Sequence, residues 1–268
     1  MSKCRSAEIV ILWRNKAGAM IGRLLATGVA LGLLLWCNVA LADQPPTQPL
    51  LRLETGMHMA QIQGISVDAR RQTLLTVSYD KTARLWSLGD GKLIRVLRPP
   101  IGGGNEGRLD SGALSPYGRI AAVGGWTGYE WNGSHSVYLF DTSSGKLVRQ
   151  LAGLPDTVES LAFSPDGEVL AAGLATNGVR VWRTGDWSAA WSDTEYGERV
   201  YGLAFTKSDE LVASSLDGYL RSYDVRGKLR QPKVKAPGGT HPIDVAVSTD
   251  GERVAVVYYD TVRVDLVA

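Results

Sequence analysis

Cysteine is almost missing from this 268-residue chain: Cys4 and Cys37 are the only two. Two thiols cannot build a disulfide-stapled scaffold or a multi-thiol metal site. Histidine is nearly as scarce, with His58, His135 and His241 alone, and no second histidine or carboxylate stands at metal-ligand spacing from His135. Charge of one sign is lacking too. With 29 basic and 27 acidic residues the formal charge is +2, which offers no strong field for a polyanion and disfavours a nucleic-acid binder. No long stretch repeats with a 3.6-residue period, so extended amphipathic helices are not expected. What is present is an apolar fraction of 44% and 31 glycines, which argue for folded, turn-rich structure in one large domain or two small ones.

The one long hydrophobic run lies near the start. Leu24 to Ala42 carries no charge, follows Lys3, Arg5, Arg14, Lys16 and Arg23, and ends in Ala40-Leu41-Ala42 before the polar Asp43-Gln44-Pro45-Pro46. That layout reads as a secretory signal peptide over residues 1–42, with translation starting either at Met1 or, for a more compact signal, at Met20. An uncleaved membrane anchor is the alternative. Cys37 is read as part of the run, since bulky Trp36 precedes it where a lipid-attachment site needs a small residue. Cleavage would leave 43–268, free of cysteine, with 24 basic and 26 acidic residues. The expected location is the periplasm or the exterior, or the inner membrane if the anchor is retained.

The rest of the chain repeats itself. TARLW (82–86), GVRVW (178–182), YLRSY (219–223) and TVRVD (261–265) end alike, the last three at spacings of 41 and 42 residues, and SVYLF (136–140) is a divergent copy. An arginine recurs two places before each of the four endpoints: Arg84, Arg180, Arg221 and Arg263. Upstream of these strands run LSPYG (114–118), FSPDG (163–167), FTKSD (205–209) and VSTDG (247–251), with VDARR (67–71) in the first copy. Pro fixes φ, and Asp-Gly supplies a local hydrogen bond and a permissive backbone, so each is a hairpin turn. Each unit reads as four short antiparallel strands, and such sheets bury both faces only by stacking around an axis.

On these residues the chain resembles the WD40 repeat β-propellers. The resemblance implies a buried polar network in the first blade, with His58, Thr76, Asp80 and Trp86 at the matching positions. Ala172 and Ala213 replace the threonine in blades three and four, where apolar packing is expected instead. LRPPIG (97–102), GGWTG (124–128), SVYLFD (136–141), GLP (153–155) and KAPGG (235–239) resemble more closely a group of exported bacterial WD40 proteins, many of which carry a caspase-like peptidase domain. That activity does not transfer, because residues 43–268 lack cysteine.

The expected fold is all-β, a WD40-type propeller of about five blades of four antiparallel strands, preceded by a hydrophobic signal or anchor helix. The blades are placed at Ile62–Leu97, Gly112–Leu151, Val158–Trp191, Val200–Lys235 and Ile243–Val267, the fifth with three strands. The ring is expected to be open or incomplete, whereas a closed five-blade ring would need a strand at Leu50–Glu54 to complete the last blade.

The irregular insertion Gly124–Ser136 carries Trp126, Tyr129, Trp131 and His135 among glycines, a candidate contact patch for a peptide or glycan. A loop folded back on its own aromatics is the plainer reading. Gly102-Gly103-Gly104-Asn105 lacks the Lys-Ser/Thr of a phosphate loop and reads as a flexible connection. The recurrent arginines are expected at a solvated channel or rim. No catalytic residue, metal site or cofactor is expected. The function expected is a non-catalytic protein-binding or scaffolding propeller of the cell envelope, with an unknown protein or peptide partner. Membrane contact is expected only through residues 24–42, and self-association through open blade edges. The alternatives are a propeller-scaffold enzyme, hydrolase or quinoprotein-like oxidoreductase, and a remnant of a longer protein.

Overall fold

The Pro/Asp/Gly turns close hairpins as their chemistry requires. In Ser164-Pro165-Asp166-Gly167 the Gly167 amide donates to the Ser164 carbonyl (2.9 Å), and Asp166 accepts from the Ser164 hydroxyl (2.5 Å) and the Glu168 amide (2.9 Å). The same closure recurs at Ser115–Gly118, Thr206–Asp209 and Ser248–Gly251. The computed structural model describes residues 55–267 of the unit 43–268, apart from Arg71, Val225, Thr249 and Val262.

Nineteen strands are described, in five antiparallel meanders. Blade one holds β1 (Ile62–Val67), β2 (Thr73–Ser78), β3 (Ala83–Ser87) and β4 (Leu93–Leu97). Blade two holds β5 (Arg108–Leu114), β6 (Ile120–Trp126), β7 (His135–Asp141) and β8 (Leu147–Leu154). Blade three holds β9 (Val158–Phe163), β10 (Val169–Leu174), β11 (Val179–Arg183) and β12 (Ala189–Asp193). Blade four holds β13 (Val200–Phe205), β14 (Leu211–Ser215), β15 (Tyr219–Tyr223) and β16 (Val234–Lys235). Blade five has three strands, β17 (Pro242–Val247), β18 (Val254–Tyr258) and β19 (Val264–Val267).

The core lies between blades, because a single sheet has two apolar faces to cover. Leu75, Val77 and Leu85 of blade one pack on Leu109, Val123 and Phe140 of blade two. Val137, Leu139 and Leu151 of blade two meet Leu161, Leu170 and Trp182 of blade three. Val179 and Val181 then meet Leu211 and Tyr223, and Val212 and Leu220 meet Val245 and Val256. The first strands lie side by side in chain order, β1 on β5, β5 on β9, β9 on β13 and β13 on β17. Among the described residues β17 makes no comparable packing on β1.

Every first strand departs from regular pairing near its start. The register shifts across Ile62/Gly64, Leu109/Ser111, Val158/Ser160, Val200/Gly202 and Pro242/Asp244. The extra residue in each β-bulge is Gln63, Asp110, Glu159, Tyr201 and Ile243 in turn. A bulge leaves one residue unpaired and re-aims its side chain. The residue after it is small in four of the five blades, for steric reasons. A Cβ on Gly202 would sit 2.8 Å from the Val245 amide of the next blade, and one on Gly64 would sit 3.1 Å from the Val77 side chain. Ser160 uses the same close approach to donate its hydroxyl to the Val200 carbonyl, 3.0 Å away in the next blade.

Several expectations are corrected. The expected hydrophobic signal or anchor helix is not found: among the described residues no helix is long and apolar enough to cross a membrane. The stretch on which that helix was placed, within 1–42, lies outside the described residues, as does the strand placed at Leu50–Glu54. Blade two starts at Arg108, four residues before the expected Gly112. The outer strand of blade four is short, with a lone bridge between Tyr223 and Leu229 before β16. The connection Gly102–Asn105 is tied down: the Gly102 amide donates to the Glu106 carbonyl (3.3 Å), the Glu106 amide donates to the Gly103 carbonyl (3.0 Å), and Lys81 Nζ donates to the Gly102 carbonyl (3.0 Å).

The recurrent arginines do not share one solvated level: two of the four are buried, whereas the Arg263 side chain is 60% exposed. Arg84 and Arg221 are each only 3% exposed. Arg221 is ion-paired with Asp217 (2.6 Å) and lies over the Tyr196 ring at 3.9 Å.

Candidate functional site

The insertion of blade two is shorter than its sequence suggests. Strand β6 continues through Trp126 and β7 resumes at His135, which leaves one helical turn, α1 (Tyr129–Asn132), between them. Gly128 leads into that turn at φ +88°, a left-handed conformation suited to glycine, and a Cβ there would collide with the Ser136 hydroxyl. Glu106, fully buried in the segment before β5, holds the turn from below. Its two carboxylate oxygens accept the amides of Gly128 (2.5 Å) and Glu130 (3.1 Å). Charge-assisted bonds of this kind are what make a buried carboxylate tolerable.

Three of the four aromatic positions named from the sequence come together. The rings of Trp126 and His135 meet edge to face at 5.1 Å, those of Tyr129 and His135 lie 5.2 Å apart, and those of Trp126 and Tyr129 6.2 Å apart. Trp126 and Tyr129 remain 38% and 50% exposed, whereas His135 is buried beneath them. Burial pushes the His135 pKa below the usual histidine range, against the pull of the Asp156 carboxylate, so the ring is a neutral wedge. Trp131 turns the other way and packs toward Gly102, where a Cβ would lie 3.0 Å from the indole edge.

Next to this patch is a cavity of about 210 Å³ that sequence reasoning missed. The bulge residues Asp110, Glu159 and Tyr201 from three successive blades line it, with Trp126 at its lip. Tyr79, Arg108, Asp156 and Arg199 complete the polar wall. Arg108 stacks on the Tyr79 ring at 3.7 Å and donates to Asn105 Oδ1 (3.0 Å), and Arg199 pairs with Glu159 (2.5 Å). Burial, reinforced by the facing Asp110 charge, pushes the Glu159 carboxyl up to about 7 despite Arg199. Burial likewise raises Asp110, while hydrogen bonding from Tyr79 and the field of Arg108 work the other way. A sequence signal was available: a polar or aromatic residue followed by Gly or Ser opens four of the first strands, as Gln63-Gly64, Asp110-Ser111, Glu159-Ser160 and Tyr201-Gly202.

His58, Thr76, Asp80 and Trp86 form one continuous chain. His58 Nδ1 lies 2.9 Å from Asp80 Oδ2, His58 Nε2 lies 2.7 Å from the Thr76 hydroxyl, and Trp86 Nε1 donates to that hydroxyl at 2.8 Å. The indole N–H can only donate, so Thr76 turns its proton toward Nε2, and His58 gives its own Nδ1 proton to Asp80. Although burial works against it, hydrogen bonds from Thr82, the Met59 amide and His58 hold the Asp80 carboxyl below the usual range.

Blade four carries a different polar set, not apolar packing alone. The Tyr223 hydroxyl donates to Asp193 (2.7 Å) and meets the Tyr196 hydroxyl (2.7 Å) beside Arg221–Asp217. In blade five the Tyr258 hydroxyl donates to Asp265 (2.9 Å). His241 shares Asp260 with the Thr240 hydroxyl at the corresponding edge. Among the described residues no three His, Cys, Asp or Glu side chains converge closely enough to hold a metal ion.

Comparison with known proteins agrees with this geometry. The family model described as WD domain, G-beta repeat matches residues 52–87 and 145–183. Telomerase protein component 1 of Rattus norvegicus is 27% identical over 210 residues, 76% of this chain and 7% of the relative. The periodic tryptophan protein 2 homolog of Schizosaccharomyces pombe is 30% identical over 115 residues, 42% of this chain and 13% of the relative. Echinoderm microtubule-associated protein-like 1 of Homo sapiens is 26% identical over 131 residues, 48% of this chain and 14% of the relative. The chain thus spans a small part of the length of each of these. Its fold is a WD40-type β-propeller, an architecture generically suited to protein–protein interaction.

Proposed function

We propose that the chain is a non-catalytic protein-binding module that engages a protein or peptide partner through the face carrying Trp126 and Tyr129. The observation that carries the reading is the pair of exposed rings held over buried His135 at the lip of a polar cavity. Rigid aromatic side chains lose little entropy on binding and supply large contact area, which is why they dominate interface energetics. Glu106 fixes the turn that presents Tyr129, so the patch is organised before a partner arrives.

Co-purification with the intact chain as bait tests this. Trp126→Ala with Tyr129→Ala is expected to remove the partners held by the unaltered chain while leaving the melting temperature within a few degrees. Retention of the same partners rejects the face. A location in the periplasm or beyond the cell rests on the sequence of residues 24–42 and on the resemblance to exported bacterial propellers, and cell fractionation decides it.

Self-association is a second reading, favoured by the apolar residues left open on blades one and five. Ile65 and Val67 are 70% and 43% exposed, and Val264 and Leu266 are 61% and 69% exposed. Light scattering that finds only monomer at high protein concentration rejects it.

A further inference from the structure

The bulge cavity holds more negative charge than it neutralises. Of its three carboxylates, only Glu159 is ion-paired among the described residues, to Arg199. Asp156 is occupied by neutral donors, the Thr157 amide (2.7 Å) and the Thr176 hydroxyl (2.8 Å). Both guanidinium groups are already engaged, Arg108 on Tyr79 and Asn105, and Arg199 on Glu159. Asp110 and Glu159 sit at the same bulge position of adjacent first strands, so the backbone itself aims two like charges at one space. A cation between them would relieve a repulsion that the resting fold sustains.

The walls suit the same visitor. Trp126 and Tyr201 are among the lining residues and offer aromatic surface, and a cation held against such rings is attracted to their faces. At about 210 Å³ the space is smaller than the roughly 300–1,000 Å³ of ordinary small-molecule pockets, and matches a single side chain. The equivalent bulge residue of blade one, Gln63, has a buried amide nitrogen with no partner among the described residues. That donor belongs to the next step of the same repeating position.

We infer that this cavity receives one cationic side chain, a guanidinium or primary ammonium group carried by the partner, between Asp110 and Glu159 and against the rings of Trp126 and Tyr201. The inference rests on the reading that this face binds a partner and names the chemistry that the partner presents. Arg199, whose side chain is 46% exposed, swings toward solvent as the incoming charge takes its place on Glu159. Asp110, which already accepts from Tyr79 and lies in the field of Arg108, gains an ion-pair partner. Arg108 stays on Tyr79 and closes the far wall.

Calorimetric titration of the full chain with the peptide acetyl-Gly-Arg-Gly-amide tests it, with the citrulline peptide as neutral analogue and putrescine as free cation. The arginine peptide is expected to bind at least tenfold more tightly than either. Asp110→Asn is expected to weaken it tenfold or more. Binding is also expected to strengthen about tenfold from pH 6 to pH 8 as Glu159, with its pKa near 7, becomes ionised, a dependence that Glu159→Gln removes. Asp110, Asp156, Arg108, Arg199, Tyr79 and Tyr201 also face the space. Equal binding of the citrulline peptide overturns the inference, as does inorganic phosphate binding in place of the peptide. Putrescine binding more tightly than the peptide overturns the assignment to a partner's side chain. Should Asp110→Asn fail to fold, the pH profile of Glu159→Gln decides alone. If the arginine peptide binds while the Trp126/Tyr129 variant keeps its partners, the face assignment fails and the cavity assignment stands; the reverse pattern separates them the other way.

Discussion

Thr76 shows how much one hydroxyl carries. It donates to His58 Nε2 and accepts from Trp86 Nε1, so its removal strands an acceptor and a donor in a part-buried place. Thr76→Val, nearly the same shape, is expected to lower stability by about 2–4 kcal/mol, the cost of leaving two such groups unpaired. Thr76→Ser keeps the hydroxyl and is expected to cost under about 1 kcal/mol. Urea unfolding followed by tryptophan fluorescence measures both, and a larger loss for Thr76→Ser than for Thr76→Val would mean that the methyl group matters and the hydroxyl does not. The Asp80 end adds an acid dependence. Its folded-state pKa is depressed, so its contribution is fully present above the ordinary aspartate range and is lost as pH falls through the folded value. Glu159 acts with the opposite sign. Its folded pKa of about 7 lies above the ordinary 4.5, so stability falls between those values as pH rises, because the unfolded chain ionises first.

At the scale of strands and turns, hairpins were the most legible part of the sequence. FSPDG and its variants have local chemistry that dictates local geometry, and β9, β10 and β11 fall within two residues of where the pattern put them. The polar cavity was not legible, because a bulge shifts the pairing by one residue without changing the apolar content of the strand. VESLAF and VYGLAF read as ordinary alternation until the neighbouring blade is in place. Only then does the need for Ser160 and Gly202 become plain, since the next blade's backbone crosses at van der Waals distance. The insertion shows a mixed result. Its aromatic residues were visible, yet the sequence did not reveal that Trp126 and His135 belong to strands, paired with Arg108 and Leu154, or that buried Glu106 caps the turn. Blade four departed from expectation for a similar reason. Tyr223 and Tyr258 replace the threonine-centred network with phenol–carboxylate pairs drawn from different strands, which no short motif records.

For the molecule as a whole, stacking blades side by side brings the first strands together and so gathers the bulge residues of three blades into one cavity. Function then depends on which end of the blades a residue occupies. Tyr129 sits on the connection between β6 and β7, and Tyr117 on the connection between β5 and β6, at opposite ends of the same sheet. Both are exposed, at 50% and 65%. A photoreactive phenylalanine analogue placed at either position in the full chain therefore samples the two ends with equal access. Cross-linking in living cells is the most direct test of the partner-binding face. A discrete cross-linked species is expected from position 129 and none from position 117, whereas a species from 117 with none from 129 would contradict the account.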